Sequence, residues 1–202
     1  CAGFTSVTLD ATAESDFGAV VGAEYLSAAD LTSGTSFARG QSRAAYGVLG
    51  ASLATAVTGA SGTATVTTQA SYGDIVRIGS DTLSAGTPVQ VELQLWVVGT
   101  RVLGPGGFGG FAAVNANVTG IHLNAAGQQI KFLNNLFFEN TSTLSTLEDF
   151  NQGNTLRTLS FEAAVGDQVQ LFAQFQLSAA TNAGGSATLD FLDTAHLGFQ
   201  SA

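Results

Sequence analysis

Two histidines, His122 and His196, and one thiol, Cys1, are the only groups in this 202-residue chain from which imidazole or thiolate chemistry could be built. Both histidines fall in segments that alternate with a strand's period, on the more polar parity, far apart in the chain. That placement predicts solvated or core-edge side chains, not a metal pair. One cysteine cannot complete a thiolate zinc site within a chain. No Gly-x-Ser-x-Gly elbow marks a nucleophilic serine. Carboxylates pair at Glu148-Asp149, in a segment read as a short helical turn, and at Asp190 with Asp193. Acids near a helix start satisfy its dipole. Two acids three apart on a strand point to opposite faces. Neither pair predicts glycosidase chemistry. Asp74, Asp81 and Asp167 carry loop oxygens suited to calcium, yet no Asp-x-Asp-x-Asp loop exists. Calcium is therefore not predicted, no cofactor is expected, and the chain is read as having no catalytic residue.

Binding chemistry is better represented. Trp96 stands opposite the core parity of the cleanest alternating segment, Val89 to Val97, beside Gln94. A Trp flanked by amides can stack on a sugar ring. Burial under a loop or in a subunit contact is the commoner fate of such a ring. A second segment places Gln168, Gln170, Phe172, Gln174 and Gln176 on one face of a strand. That face is uncharged but rich in hydrogen-bond groups, so burying it against another molecule desolvates no ion. Solvated sheets more often carry Lys and Glu, which also guard edges from pairing. The missing guards predict covered or paired edges, hence a homo-oligomer or polymer. Cys1 joins this interface as an intermolecular disulfide, or else is a free thiol, a lipid-bearing N-terminus or an incidental residue.

The charge balance narrows the partners. Only 10% of residues are charged, against roughly a quarter in ordinary soluble domains. The net charge is −9, and the six basic residues (Arg39, Arg43, Arg77, Arg101, Lys131, Arg157) are scattered. With no basic stripe, nucleic acid and anionic membrane surfaces are excluded as partners. No apolar run reaches the roughly eighteen residues of a membrane span. Met is absent throughout, which we read as processing of the N-terminus, most simply removal of a secretory signal peptide. The expected location is extracellular or on the cell surface.

The elements that must position these residues read as strands. Phe4–Asp10, Ala45–Val57, Thr63–Tyr72, Ile75–Leu83, Val89–Val97, Phe111–Leu123, Gln129–Phe138, Thr155–Val165, Gln168–Leu177 and Ser186–Phe199 all alternate or run extended. Ala45–Val57 and Thr63–Tyr72 are expected to form an antiparallel hairpin. Phe17–Leu31 has near-helical spacing, Thr32–Arg43 reads as a polar loop, and Ser145-Thr146-Leu147-Glu148 matches a capping box opening a helical turn at 147–151. The glycine-rich stretch Gly104–Gly110 lacks the Gly-Lys-Ser/Thr ending of a phosphate loop and reads as a hinge or tight corner. Asn117-Val118-Thr119 and Asn140-Thr141-Ser142 match glycosylation acceptors and are read as chance matches without functional meaning. The prediction is all-β. It is one antiparallel β-sandwich of jelly-roll or Greek-key type over residues 1–202, with about nine or ten strands, one or two short helices, and an N-terminal arm at 1–12.

Several stretches resemble the exported proteins that carry a PEP-CTERM sorting tail. They are Ala51-Ser52-Leu53-Ala54-Thr55-Ala56, Gln69-Ala70-Ser71-Tyr72-Gly73-Asp74, Ser80-Asp81-Thr82-Leu83 and the closing run Ala187 to Ala195. The tail's Pro-Glu-Pro motif, hydrophobic helix and basic end do not follow Ala202. Either the tail is removed during sorting or the likeness is to secreted β-proteins at large. The resemblance implies export from a Gram-negative, exopolysaccharide-making bacterium and deposition at its surface or matrix. It supplies no catalytic residues. The functional expectation is a secreted structural protein that self-assembles into a filament, sheath or matrix, by edge pairing or by stacking of neutral faces. The alternative is a carbohydrate-binding sandwich using Trp96.

Overall fold

The computed structural model describes residues 4–14, 25–45, 47–104, 110–143, 147–150 and 155–201. They form thirteen strands: β1 (Phe4–Glu14), β2 (Tyr25–Ser33), β3 (Ser36–Ala45), β4 (Val48–Val57), β5 (Thr63–Arg77), β6 (Pro88–Val97), β7 (Gly99–Leu103), β8 (Phe111–Leu123), β9 (Gln129–Ser142), β10 (Leu147–Phe150), β11 (Arg157–Ala164), β12 (Gln168–Asn182) and β13 (Ser186–Ser201). The all-β expectation holds. A five-stranded sheet runs β1-β5-β12-β8-β9. An eight-stranded sheet runs β10-β7-β13-β4-β3-β2, with β6 pairing β13 and β11.

The sheets meet through their alternating inward residues. Leu171, Ala173, Phe175, Leu177 and Ala179 of β12 are buried, as are Leu53 of β4 and Leu189 and Phe191 of β13. A relay of aromatic rings crosses the interior from Phe138 to Phe150, Phe191 and Phe175, with centroids 5.2–5.9 Å apart. Such tilted and edge-to-face pairs add to the area burial that drives folding.

Several local expectations fail, each for a tertiary reason. Tyr25–Leu31, the described part of the expected helix 17–31, belongs to β2, which is paired with β3 along its whole length. The expected loop 32–43 is largely β3. Its inward positions are Ser36, Ala38, Gly40, Ser42 and Ala44, small residues that carry no apolar signal. Leu147–Phe150 is a strand paired with β7, not a helical turn. Ser145, Thr146 and Asn151 of that reading lie outside the described residues, as do Cys1 and residues 105–109 of the glycine-rich corner.

The expected β4–β5 hairpin does not form. β4 pairs β3 and β13, β5 pairs β1 and β12, and the two strands face each other from different sheets. The sandwich is not wholly antiparallel, because β1 runs parallel to β5 from Phe4↔Thr63 to Glu14↔Gly73. The expected N-terminal arm is thus an edge strand of its own sheet. The β8–β9 hairpin is as expected: Asn124 Oδ1 accepts the amides of Ala126 and Gln128 at 3.0 and 2.9 Å, and Gly127 supplies φ +77°.

Candidate functional site: the outer face of the five-stranded sheet

Three long strands, β5, β12 and β8, form the middle of the five-stranded sheet, in register over most of their length. Their inward parity is apolar, so the opposite parity is turned to solvent. On β12 the outward residues are Gln168, Gln170, Phe172, Gln174, Gln176 and Ser178. All five residues expected on this strand as an interface therefore share one outer face. β12 is a central strand, however, bonded along both sides. Its face is open for contact and its edges are not, which removes β12 from any strand-addition mechanism. β1, the N-terminal segment expected as an arm, is paired with β5 on one side and forms the end of the sheet.

The register extends the face into rows. Gln174 stands between Asn117 on β8 and Ser71 on β5. Gln176 stands between Asn115 and Gln69, Phe172 between Thr119 and Gly73, and Gln170 between Ile121 and Ile75. On β9, Phe137 is opposite Asn117, Glu139 opposite Asn115, and Phe132 opposite Ile121. The face thus divides in two. One half gathers Phe132, Ile121, Phe172 and Ile75, with Phe132 71% and Phe172 50% exposed. The other half is a grid of amides bordered by Phe137, 52% exposed, and Glu139.

Charge is segregated between the two sheets. The outward positions of β5, β8 and β12 include a single ionisable residue, Arg77, at the end of β5. Acids stand along the edges: Glu139 on β9 and, by register, Asp10 and Glu14 on β1 beside Gln69 and Gly73. The eight-stranded sheet, by contrast, carries Arg39 and Arg43 on β3, Glu92 on β6, Asp149 on β10, Glu162 on β11 and Asp190 on β13 at outward positions.

In the amide half, Asn115, Asn117, Phe137, Glu139, Gln174 and Gln176 line a shallow depression of about 210 Å³. The Oδ1 atoms of Asn115 and Asn117 are shielded from solvent and lack a hydrogen-bond partner among the described residues. The sequence pattern had shown β12 alone; Asn115 and Asn117 stood out only as strand alternation and a sequon.

Trp96 lies on the outer face of the eight-stranded sheet, half-buried, and its ring lies over Gly198 of β13: a methyl placed on Gly198 would meet Cζ3 at 2.9 Å. Gln94 is buried, and its Nε2 donates to Glu92 Oε2 at 3.3 Å. The two are not part of the amide face.

The residues weighed for catalysis are scattered. His122 is on the inward parity of β8, a correction to the polar-face expectation. It is buried beside the turn before β12, with Nε2 2.8 Å from Asp167 Oδ2. His196, opposite Trp96, is on the other sheet. Burial acts to raise the Asp167 pKa, but amide hydrogen bonds from Ala164 and Ala125 and the contact with His122 outweigh it, so Asp167 lies below the usual carboxylate range. Asp74 Oδ1 accepts the Ile75 amide at 2.7 Å, and Asp81 lies in the exposed loop after β5. Glu148 is drawn to the buried guanidinium of Arg101, while Asp149 faces outward on the same short strand. Asp190 is exposed; the register of β13 against β4 shifts between Phe191 and Ala195, around Asp193. The His122–Asp167 and Arg101–Glu148 pairs were invisible in the sequence because each joins residues far apart in the chain.

No family model matches the chain, and no curated protein sequence does. Among solved structures the chain is similar to a CocE/NonD family hydrolase from Staphylococcus aureus, in two crystal structures. One has 7% identity over 62% of this chain and 33% of the other, at a TM-score of 0.24. The second has 6% identity over 61% and 37%, at a TM-score of 0.17. The chain spans about a third of the length of the hydrolase chains it matches. Similarity at this level carries no functional argument.

Proposed function

We propose that this chain is a secreted structural protein, not an enzyme, whose copies associate through the outer face of the five-stranded sheet to build an extracellular filament, sheath or matrix. The observation that carries this reading is the charge segregation. Two molecules of net charge −9 repel each other. They meet at least cost where each presents the fewest ions, and that surface is β5-β12-β8, with Arg77 alone at its end. Phe172 on it, and Phe132 beside it on β9, supply exposed apolar area, and large exposed apolar side chains gathered on one face favour association. The neighbouring amides are satisfied as readily by a partner's amides as by water. Acids along β1 and β9 discourage edge-to-edge pairing, so association by faces is favoured over strand addition.

Sedimentation velocity over a wide concentration range tests the reading. Wild-type protein is expected to gain mass with concentration, and Phe172→Glu to remain monomeric with an unchanged circular dichroism spectrum. A wild-type chain that stays monomeric at every concentration would overturn it.

A further inference from the structure

We infer that the depression lined by Asn115, Asn117, Phe137, Glu139, Gln174 and Gln176 binds one uncharged sugar ring of a glycan. The inference rests on the outer face being a contact surface, though not on the chain associating with itself. Three observations combine. First, the lining offers what a polyol needs. Each Asn or Gln amide presents donors and an acceptor side by side, suited to neighbouring hydroxyls that both donate and accept. Asn117 faces Gln174 and Asn115 faces Gln176 across the β8–β12 ladder, so two such amide pairs stand one above the other. Residues two apart on a strand are separated by roughly 7 Å and neighbouring strands by about 5 Å, a grid on the scale of one ring.

Second, Phe137 stands half-exposed beside the amides, opposite Asn117, where its face can take the C–H face of a sugar. Glu139, opposite Asn115, adds a carboxylate that accepts from hydroxyls and repels anions. No cation lines the depression, so phosphate and acidic sugars are disfavoured. Its volume of about 210 Å³ is below the roughly 300 Å³ at which drug-sized ligand pockets begin, enough for one ring.

Third, the shielded Oδ1 atoms of Asn115 and Asn117 have no hydrogen-bond partner among the described residues. Buried amide oxygens are seldom left in that state. Rotation of either side chain toward a ligand hydroxyl supplies the missing donor.

The test is titration of isotopically labelled protein with cellohexaose, maltohexaose, laminarihexaose and chitohexaose, following the side-chain amide signals by NMR. At least one of these is expected to shift the Asn115, Asn117, Gln174 and Gln176 amides selectively, with a Kd of about 1 mM or tighter. Asn117→Ala combined with Gln174→Ala should weaken binding about tenfold or more, as loss of hydrogen bonds to a ligand does. The isosteric Gln174→Glu, which keeps the volume, should do the same. Phe172→Glu, outside the depression, should leave sugar binding unchanged even where it abolishes self-association. The inference is overturned if none of the four glycans shifts these amides. It is overturned equally if the depression variants bind as wild type does. A third overturning result is depression variants that alter sedimentation while no glycan binds, which assigns the depression to the contact between copies.

Discussion

His122 Nε2 lies 2.8 Å from Asp167 Oδ2, joining the end of β8 to the turn that carries the chain from β11 in one sheet to β12 in the other. An ionised carboxylate only accepts, so the proton of this hydrogen bond is on Nε2. The same carboxylate accepts the Ala164 amide at 2.9 Å, and the Asp167 carbonyl accepts the Ile78 amide at 2.8 Å. Asp167 thereby holds the crossover turn from three sides.

Acid should release this turn. The Asp167 pKa is lowered in the folded chain. As pH falls below an unfolded Asp's value of about 4, the unfolded chain binds the proton first. The stability Asp167 contributes is therefore complete above about pH 4 and is lost as pH falls through its folded pKa. Asp167→Asn removes that contribution, at a cost of about 1.5–3 kcal/mol at neutral pH, as for hydrogen bonds to charged groups. Thermal melts from neutral to acid pH should show wild type converging on the variant. Parallel curves would mean that Asp167 does not titrate as described.

The Arg101–Glu148 pair predicts an order of destabilisation. Arg101 is 1% exposed, and its Nη1 also donates to the carbonyls of Ala112 at 3.3 Å and Asn140 at 3.4 Å. Its guanidinium carbon lies 5.6 Å from the centre of the Phe150 ring. Burial lowers its pKa while Glu148 opposes that shift. Glu148 is about a third exposed and can turn to water. Glu148→Ala leaves the buried guanidinium without its counter-charge, expected to cost about 3–5 kcal/mol. Arg101→Met removes the buried charge and keeps most of the volume, so it should cost less. Urea denaturation decides between them; a greater loss in Arg101→Met would mean that the carbonyl bonds outweigh the ion pair.

These two pairs also mark how far local sequence reading reaches. Strand alternation is a local property, and it gave β6, β8 and β13 close to their bounds, together with the Asn124–Gly127 turn and the starts of β9 and β12, which run on past the expected Phe138 and Leu177 to Ser142 and Asn182. It misplaced β2, β3 and β10. The inward positions of β3 are Ser, Ala and Gly, with no hydrophobic period, and the capping pattern at Ser145–Glu148 loses to the pairing of β10 with β7. The amide-rich outer residues of β12 were legible because one strand holds them all. The depression was not, since it needs the register of β8, β9 and β12 together. Nor could the sequence tell that Ala45–Val57 and Thr63–Tyr72 lie in opposing sheets, because a short turn joins strands of one sheet or of two equally well.

Salt gives a separate check on self-association. If copies meet through β5-β12-β8, their contact contains no ion pairs to screen, while the net charge of −9 repels at long range. Raising ionic strength from about 0.01 M to 0.15 M shortens the Debye length from about 30 to 8 Å. Association measured by sedimentation equilibrium should therefore strengthen over that range. Weakening would mean that salt-sensitive ion pairs, such as those available on the eight-stranded sheet, hold the copies together.

The placement of Trp96 against Gly198 predicts a structural role for the indole, set apart from the amide face. Gly198 is opposite Gln94 on β13, one diagonal step from Trp96. A side chain there would press on Cζ3 and Cη2 of the ring, at 2.9 and 3.1 Å from the added methyl. The bare backbone gives the ring a flat bed, as an aromatic laid across a strand glycine does. Trp96→Ala should cost about 2 kcal/mol for a half-buried ring, and Gly198→Ala about 1–3 kcal/mol through overpacking. Urea denaturation reads both losses. Neither variant should alter glycan titrations monitored at Asn117 and Gln174. A Trp96→Ala chain of unchanged stability that loses glycan binding would instead make Trp96 a sugar platform and move the site to the other sheet.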